Sequence, residues 1–118
     1  MGKQPILVIV GPTASGKTAL AVALAKTYNG EVISADSMQI YKGMDIATAK
    51  PTIEEQQGIP HHLISFVEQN NDFSVADYLK FANEKIHEVS EKGKLPSIAG
   101  GTGLYISSLI DNIKFDEK

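Results

Sequence analysis

Pro5-Ile-Leu-Val-Ile-Val10, followed at once by Gly11-Pro-Thr-Ala-Ser-Gly16-Lys17-Thr18, is the stretch that decides the fold. Its first half is a short, β-branched, apolar run without alternation, the pattern of a parallel strand buried on both faces. Its second half matches GxxxxGK[ST] in full and lies between that strand and a helical segment, the context a phosphate-gripping P-loop requires. The glycines let the backbone curl so that successive N–H groups point inward as an anion nest. The helix start adds its partial positive charge. Lys17 supplies a mobile point charge for terminal phosphoryl oxygens, and the Thr18 hydroxyl is placed to ligate Mg²⁺. Gly11, Pro12, Thr13, Ala14, Ser15, Gly16, Lys17 and Thr18 are thus the expected diphosphate- or nucleotide-binding residues, and the function is built around gripping a pyrophosphate or polyphosphate. The motif names the phosphate site and leaves the reaction open, since P-loops serve NTPases, small-molecule kinases and some transferases.

Working outward, residues 17–28 read as a helix with Leu20, Ala21, Leu24 and Ala25 on one face, stopped by Asn29-Gly30. Val32-Ile-Ser-Ala35 reads as a second strand ending at Asp36. Residues 37–68 show no sustained period and read as a long, partly ordered connection, with a short helix over 53–57 after Pro51. Residues 74–92 give the clearest helix: Val75, Leu79, Ala82, Ile86 and Val89 recur at helical spacing, and Tyr78 and Phe81 broaden the stripe. Ser74 and Asp77 form a capping-box pattern, and Gly93 supplies the stop. A third strand over 95–99 leads into Gly100-Gly-Thr-Gly103 and a helix from Leu104 to about Ile110. This order predicts a parallel sheet with right-handed crossovers. The expected fold is therefore α/β: a three-layer, P-loop NTPase-like domain spanning 1–118, with a short and truncated sheet.

Composition bounds the rest. The chain is 42% hydrophobic and 21% charged, with no run long enough to span a bilayer, and no signal-peptide core, so a cytoplasmic protein is expected. It lacks cysteine, which excludes disulfides, thiolate catalysis and zinc–sulfur sites. The net charge of −3 advertises no nucleic-acid footprint. All 11 basic residues are lysine, so any arginine clamp on a phosphoryl group must come from outside this sequence.

Asp36 stands at the carboxyl end of a strand, where parallel sheets gather their ligand crevice. It could be a Mg²⁺-associated carboxylate, a general base for an incoming nucleophile, or a turn cap. Ser37 and Gln39 beside it can orient a ligand, and an amide such as Gln39 can read an adenine edge. Thr102 lies in a glycine-rich strand-to-helix turn that could approach a ligand or be only a tight turn. Tyr41, Lys42 and Lys50 are either solvated loop residues or substrate contacts.

At these residues the sequence resembles the bacterial tRNA dimethylallyltransferases. The resemblance is carried by Gly11 to Thr18, Ile33 to Pro51, Pro60-His-His-Leu63 and Ala99-Gly-Gly-Thr-Gly-Leu-Tyr105, in order and at the family's spacing. It implies transfer of a dimethylallyl group from its diphosphate to N6 of the adenosine beside the anticodon. Lys17 and Thr18 would then hold diphosphate and Mg²⁺ as the diphosphate leaves, with Lys17, Asp36 and Thr102 catalytic. Asp36 would take a hydrogen bond or proton from the adenine amino group. Asp36, Ser37, Met38, Gln39 and Thr102 would contact a target nucleotide turned out of its stack. His61 and His62 read as structural or tRNA-side loop residues, because adjacent histidines rarely share one metal.

Family members are longer and use an arginine in their downstream part. The resemblance therefore implies an N-terminal P-loop portion, weakly active or inactive by itself, with most basic tRNA contacts elsewhere. It also implies a monomer, although a short sheet exposes an edge strand on which chains can associate. The alternatives are an adenylate-type isopentenyltransferase, a P-loop small-molecule kinase that would prefer ATP, and a nucleotide-binding switch, for which no guanine-reading motif is present.

Overall fold

The computed structural model describes residues 6–10, 17–36, 39–42, 52–68, 72–100 and 103–116. The elements are β1 (Leu7–Val10), α1 (Lys17–Tyr28), β2 (Gly30–Ser34), α2 (Ile53–Gln56), β3 (His61–His62), α3 (Val75–Glu91), β4 (Leu95–Gly100) and α4 (Gly103–Asp116). The four strands are all parallel, in the order β1-β4-β2-β3. Helix α1 covers one face of the sheet, and α3 with α4 covers the other, giving the expected three layers. None of the described helices is long and apolar enough to cross a membrane.

The central strands carry the core. Ile33, Ala35 and Ile98 face Tyr78, Ala82, Ile86 and Val89 of α3 and Tyr105, Ile106 and Leu109 of α4. Ile9 and Val32 face Ala21 and Ala25 of α1. Each large apolar side chain so buried contributes about 1.5–3 kcal/mol. Small residues on α1 let that helix lie close to the sheet. Leu20, expected on its buried face, is instead 51% exposed, and Val22 is buried in its place.

Helix α3 starts as its sequence predicts. The Ser74 hydroxyl accepts from the Asp77 N–H at 3.1 Å, and the Asp77 carboxylate accepts from the Ser74 N–H at 2.9 Å. That bond holds the Asp77 carboxyl below its ordinary value. Gly93 takes φ 78 after the last turn. The end of α1 differs from expectation: Asn29, not Gly30, takes the left-handed φ of 57. Gly30 opens β2, where a Cβ would lie 2.5 Å from the Leu95 carbonyl oxygen, so this glycine serves close packing.

The connection after β2 is more ordered than its sequence suggests. Thr52 caps α2 through a full capping box. His61 and His62 form a fourth strand, read from the sequence as loop, because two residues are too few to show a period. His62 Nε2 bonds the Glu31 carboxylate at 2.7 Å, and Lys92 Nζ bonds the same carboxylate at 3.0 and 3.1 Å. Burial pushes the Glu31 carboxyl up, but the bonds and charges of His62 and Lys92 outweigh it and leave it below the usual carboxylate value. The depressed value makes this stabilisation present above the unfolded pKa and lost as pH falls through the folded one. Glu31→Gln should therefore destabilise the protein by about 1–3 kcal/mol near neutrality, a penalty that shrinks below about pH 4 in urea melts at stepped pH. A pH-independent penalty would mean that shape rather than charge sets the effect.

Candidate functional site

The carboxyl ends of β1, β4 and β2 lie side by side along one edge of the sheet, the edge at which parallel α/β sheets gather a ligand crevice. Residues 11–16 follow β1, 101–102 follow β4, and Asp36 follows β2. The P-loop residues Gly11 to Gly16, with Ser37, Met38 and Thr102, lie outside the described residues. Lys17 and Thr18 form the first turn of α1 directly after the P-loop, as the sequence predicts.

Asp36 and Gln39 are brought together. Both are buried, at 8% exposure. The Gln39 N–H donates to Asp36 Oδ1 at 3.2 Å, and Ser34 Oγ lies 3.4 Å from Gln39 Oε1. Asp36 therefore caps the turn it opens, one of the roles its position allowed, and that bond holds its carboxylate just past the carboxyl end of β2. Gln39 is clamped from the far side, where its carbonyl accepts the Ser65 N–H at 2.9 Å. Tyr41 makes a parallel bridge to Val67, and Lys42 pairs with Glu68 at 2.9 Å. The structure thus gives Tyr41 and Lys42 packing and surface roles; Lys50 lies outside the described residues.

The end of β4 is pressed against the end of β2. A Cβ on Gly100 would collide with the backbone of Ala35, including its carbonyl carbon and oxygen. Only glycine lets the chain leading to Thr102 pass this close to the chain leading to Asp36. Two tyrosines close the floor: Tyr78 of α3 and Tyr105 of α4 stack at 4.3 Å with 15° between their planes. Burial, then Tyr41, Asp36 and Asp77, raise the Tyr105 phenol above its ordinary value. Sequence reasoning placed Tyr78 only as a widening of an apolar stripe. The signal was available, since a phenol in a buried stripe needs a hydrogen-bond partner.

His61 lies away from such chemistry. Its Nδ1 bonds the Ile59 carbonyl at 2.9 Å, and burial lowers its imidazole pKa. With His62 held by Glu31, both histidines are structural, as one of their two expected roles had it.

Residues 39–118 match the family model for IPP transferase. The chain belongs to the IPP transferase family. It is 57% identical over 115 residues to a tRNA dimethylallyltransferase of Bacillus velezensis, covering 98% of this chain and 37% of that relative. The chain thus spans little more than a third of the length of such relatives. Among solved structures it is similar to the full-length tRNA isopentenylpyrophosphate transferase of Bacillus halodurans, with a TM-score of 0.91, 55% identity, and cover of 93% of this chain and 36% of that one. It is also similar to a eukaryotic dimethylallyltransferase described as acting on tRNA, with a TM-score of 0.85 and 36% identity over 88% of this chain and 26% of the other. The α/β arrangement is accordingly the P-loop NTPase-like fold expected from the sequence.

Proposed function

We propose that this sequence forms the diphosphate- and adenosine-facing core of a tRNA dimethylallyltransferase. The observation that carries the reading is the placement of a buried carboxylate, Asp36, on the sheet edge where the P-loop strand also ends. The P-loop amides and Lys17 hold the diphosphate of dimethylallyl diphosphate. The adenine amino nitrogen attacks the allylic carbon, an N–C bond forms, the C–O bond to diphosphate breaks, and Asp36 takes the departing proton. Ser37, Met38, Gln39 and Thr102 face the acceptor base, extruded from the anticodon loop of a cytoplasmic tRNA.

The donor set suits Mg²⁺. Thr18, directly after the P-loop lysine in sequence, is a hard-oxygen residue type, and the described residues contain no group of three or more His, Asp or Glu that would cage a metal by themselves. Thr18 is the residue that would hold such an ion, which when bound would neutralise charge on the leaving diphosphate.

A P-loop also fits ATP, so the donor is the point to test. Calorimetric titration of this chain with dimethylallyl diphosphate and with ATP, each with Mg²⁺, should show tighter binding of the allylic diphosphate. Lys17→Ala should weaken it by about ten-fold or more, the worth of one charge-assisted contact. Preference for ATP would instead favour a kinase. The relatives are named for a tRNA acceptor and lend neither the kinase nor the free-nucleotide reading support.

A further inference from the structure

We infer that the Tyr78 hydroxyl is a positioning group for the acceptor half of the site, holding the end of β2 that carries Asp36. The inference rests on the prenyl-transfer reading of that site. Its starting point is a gap in the sheet. In a parallel ladder alternate residues face the same neighbouring strand. Val32 faces β3, where its N–H donates to the Pro60 carbonyl at 3.0 Å, so Ser34 faces the same way. Ala35 faces the other way, donating to the Ala99 carbonyl of β4 at 2.9 Å. Strand β3 stops at His62, because Leu63 takes φ 66 and Ser65 φ 56, and the chain leaves the ladder. The Ser34 carbonyl has then lost its strand partner at the point where β2 enters the crevice.

The Tyr78 hydroxyl takes that place, donating to the Ser34 carbonyl at 3.0 Å from a wholly buried position. The bond spans 44 residues of sequence and ties α3 to the strand two residues before Asp36. Burial raises the phenol far above its ordinary value, so it remains a donor throughout the physiological range. On its other side the ring stacks on Tyr105, at the start of the helix that follows Thr102. One side chain thus braces both the end of β2 that leads to Asp36 and the first turns of α4.

The Tyr78→Phe variant keeps the ring, the stack and the volume and removes only the donor. In an enzyme of full family length that carries this sequence, it should slow single-turnover transfer to an anticodon stem-loop by about ten-fold, with the dimethylallyl diphosphate affinity changed by less than about two-fold. Amide hydrogen exchange on the same variant should quicken at Ala35 and Gln39 and stay unchanged at Ile86 and Val89. A rate and a diphosphate affinity that fall together, or exchange that quickens evenly over α3, would overturn the positioning role. So would unchanged exchange at Ala35 and Gln39. If the unsubstituted enzyme neither binds the allylic diphosphate nor forms product, the prenyl-transfer reading fails, and exchange alone still decides whether Tyr78 braces β2.

Discussion

Asp36→Asn in an enzyme of full family length that carries this sequence should reduce single-turnover prenyl transfer to an anticodon stem-loop by ~10²–10³-fold, the worth of a positioned proton acceptor. The substitution is selective because asparagine keeps a carbonyl oxygen where Asp36 Oδ1 accepts the Gln39 N–H at 3.2 Å. The turn survives, and only the negative charge and its basicity are lost. Affinity for dimethylallyl diphosphate should hold within about two-fold, since the P-loop that supplies that affinity follows β1, on the far side of β4 from Asp36. A variant that transfers at the normal rate would reduce Asp36 to a turn cap. One that loses diphosphate affinity in proportion would make it part of the metal and phosphate cradle.

Gly100→Ala should cost about 3 kcal/mol of stability or more, at the upper end of what overpacking does. The added methyl meets main-chain atoms of Ala35, and a backbone cannot swing aside as a side-chain tip can. Relief requires the end of β4 to move away from the end of β2, breaking the Ala35 N–H bond to the Ala99 carbonyl. Urea unfolding would read the loss, and calorimetry on the surviving folded fraction should show weakened binding as well. An alanine variant of normal stability would show that the two strand ends have room to separate. Gly93→Ala is the useful contrast: there the strain is one of φ alone, with nothing near the new methyl, and the cost should be about 1 kcal/mol.

The sequence determined what local rules govern. Residues 5–18 set the parallel strand, the cradle pattern and the helix after it. Ser74, Asp77 and Gly93 marked both ends of α3 because capping depends on residues three apart or on a single φ. The four motif blocks carried the family resemblance for the same reason, since each is a contiguous run read by type and spacing. Asp36 was legible as the residue ending β2, with its role open among metal partner, base and cap.

The tertiary structure decided whatever depends on strands meeting across long stretches of chain. Nothing local marks His61 and His62 as a strand, because their pairing with Val32 and Ile33 exists only once β2 is in the sheet. Nothing local separates Gly30, needed against Leu95, from Asn29, which turns the chain. Leu20 fits an amphipathic stripe, yet it is exposed while Val22 is buried, because which residues of a helix are covered depends on what packs against it. The bond from Tyr78 to Ser34 follows from where β3 happens to end. A hydrogen-bond vacancy in a sheet is a property of neighbouring strands, and it has no signature in the sequence of either partner.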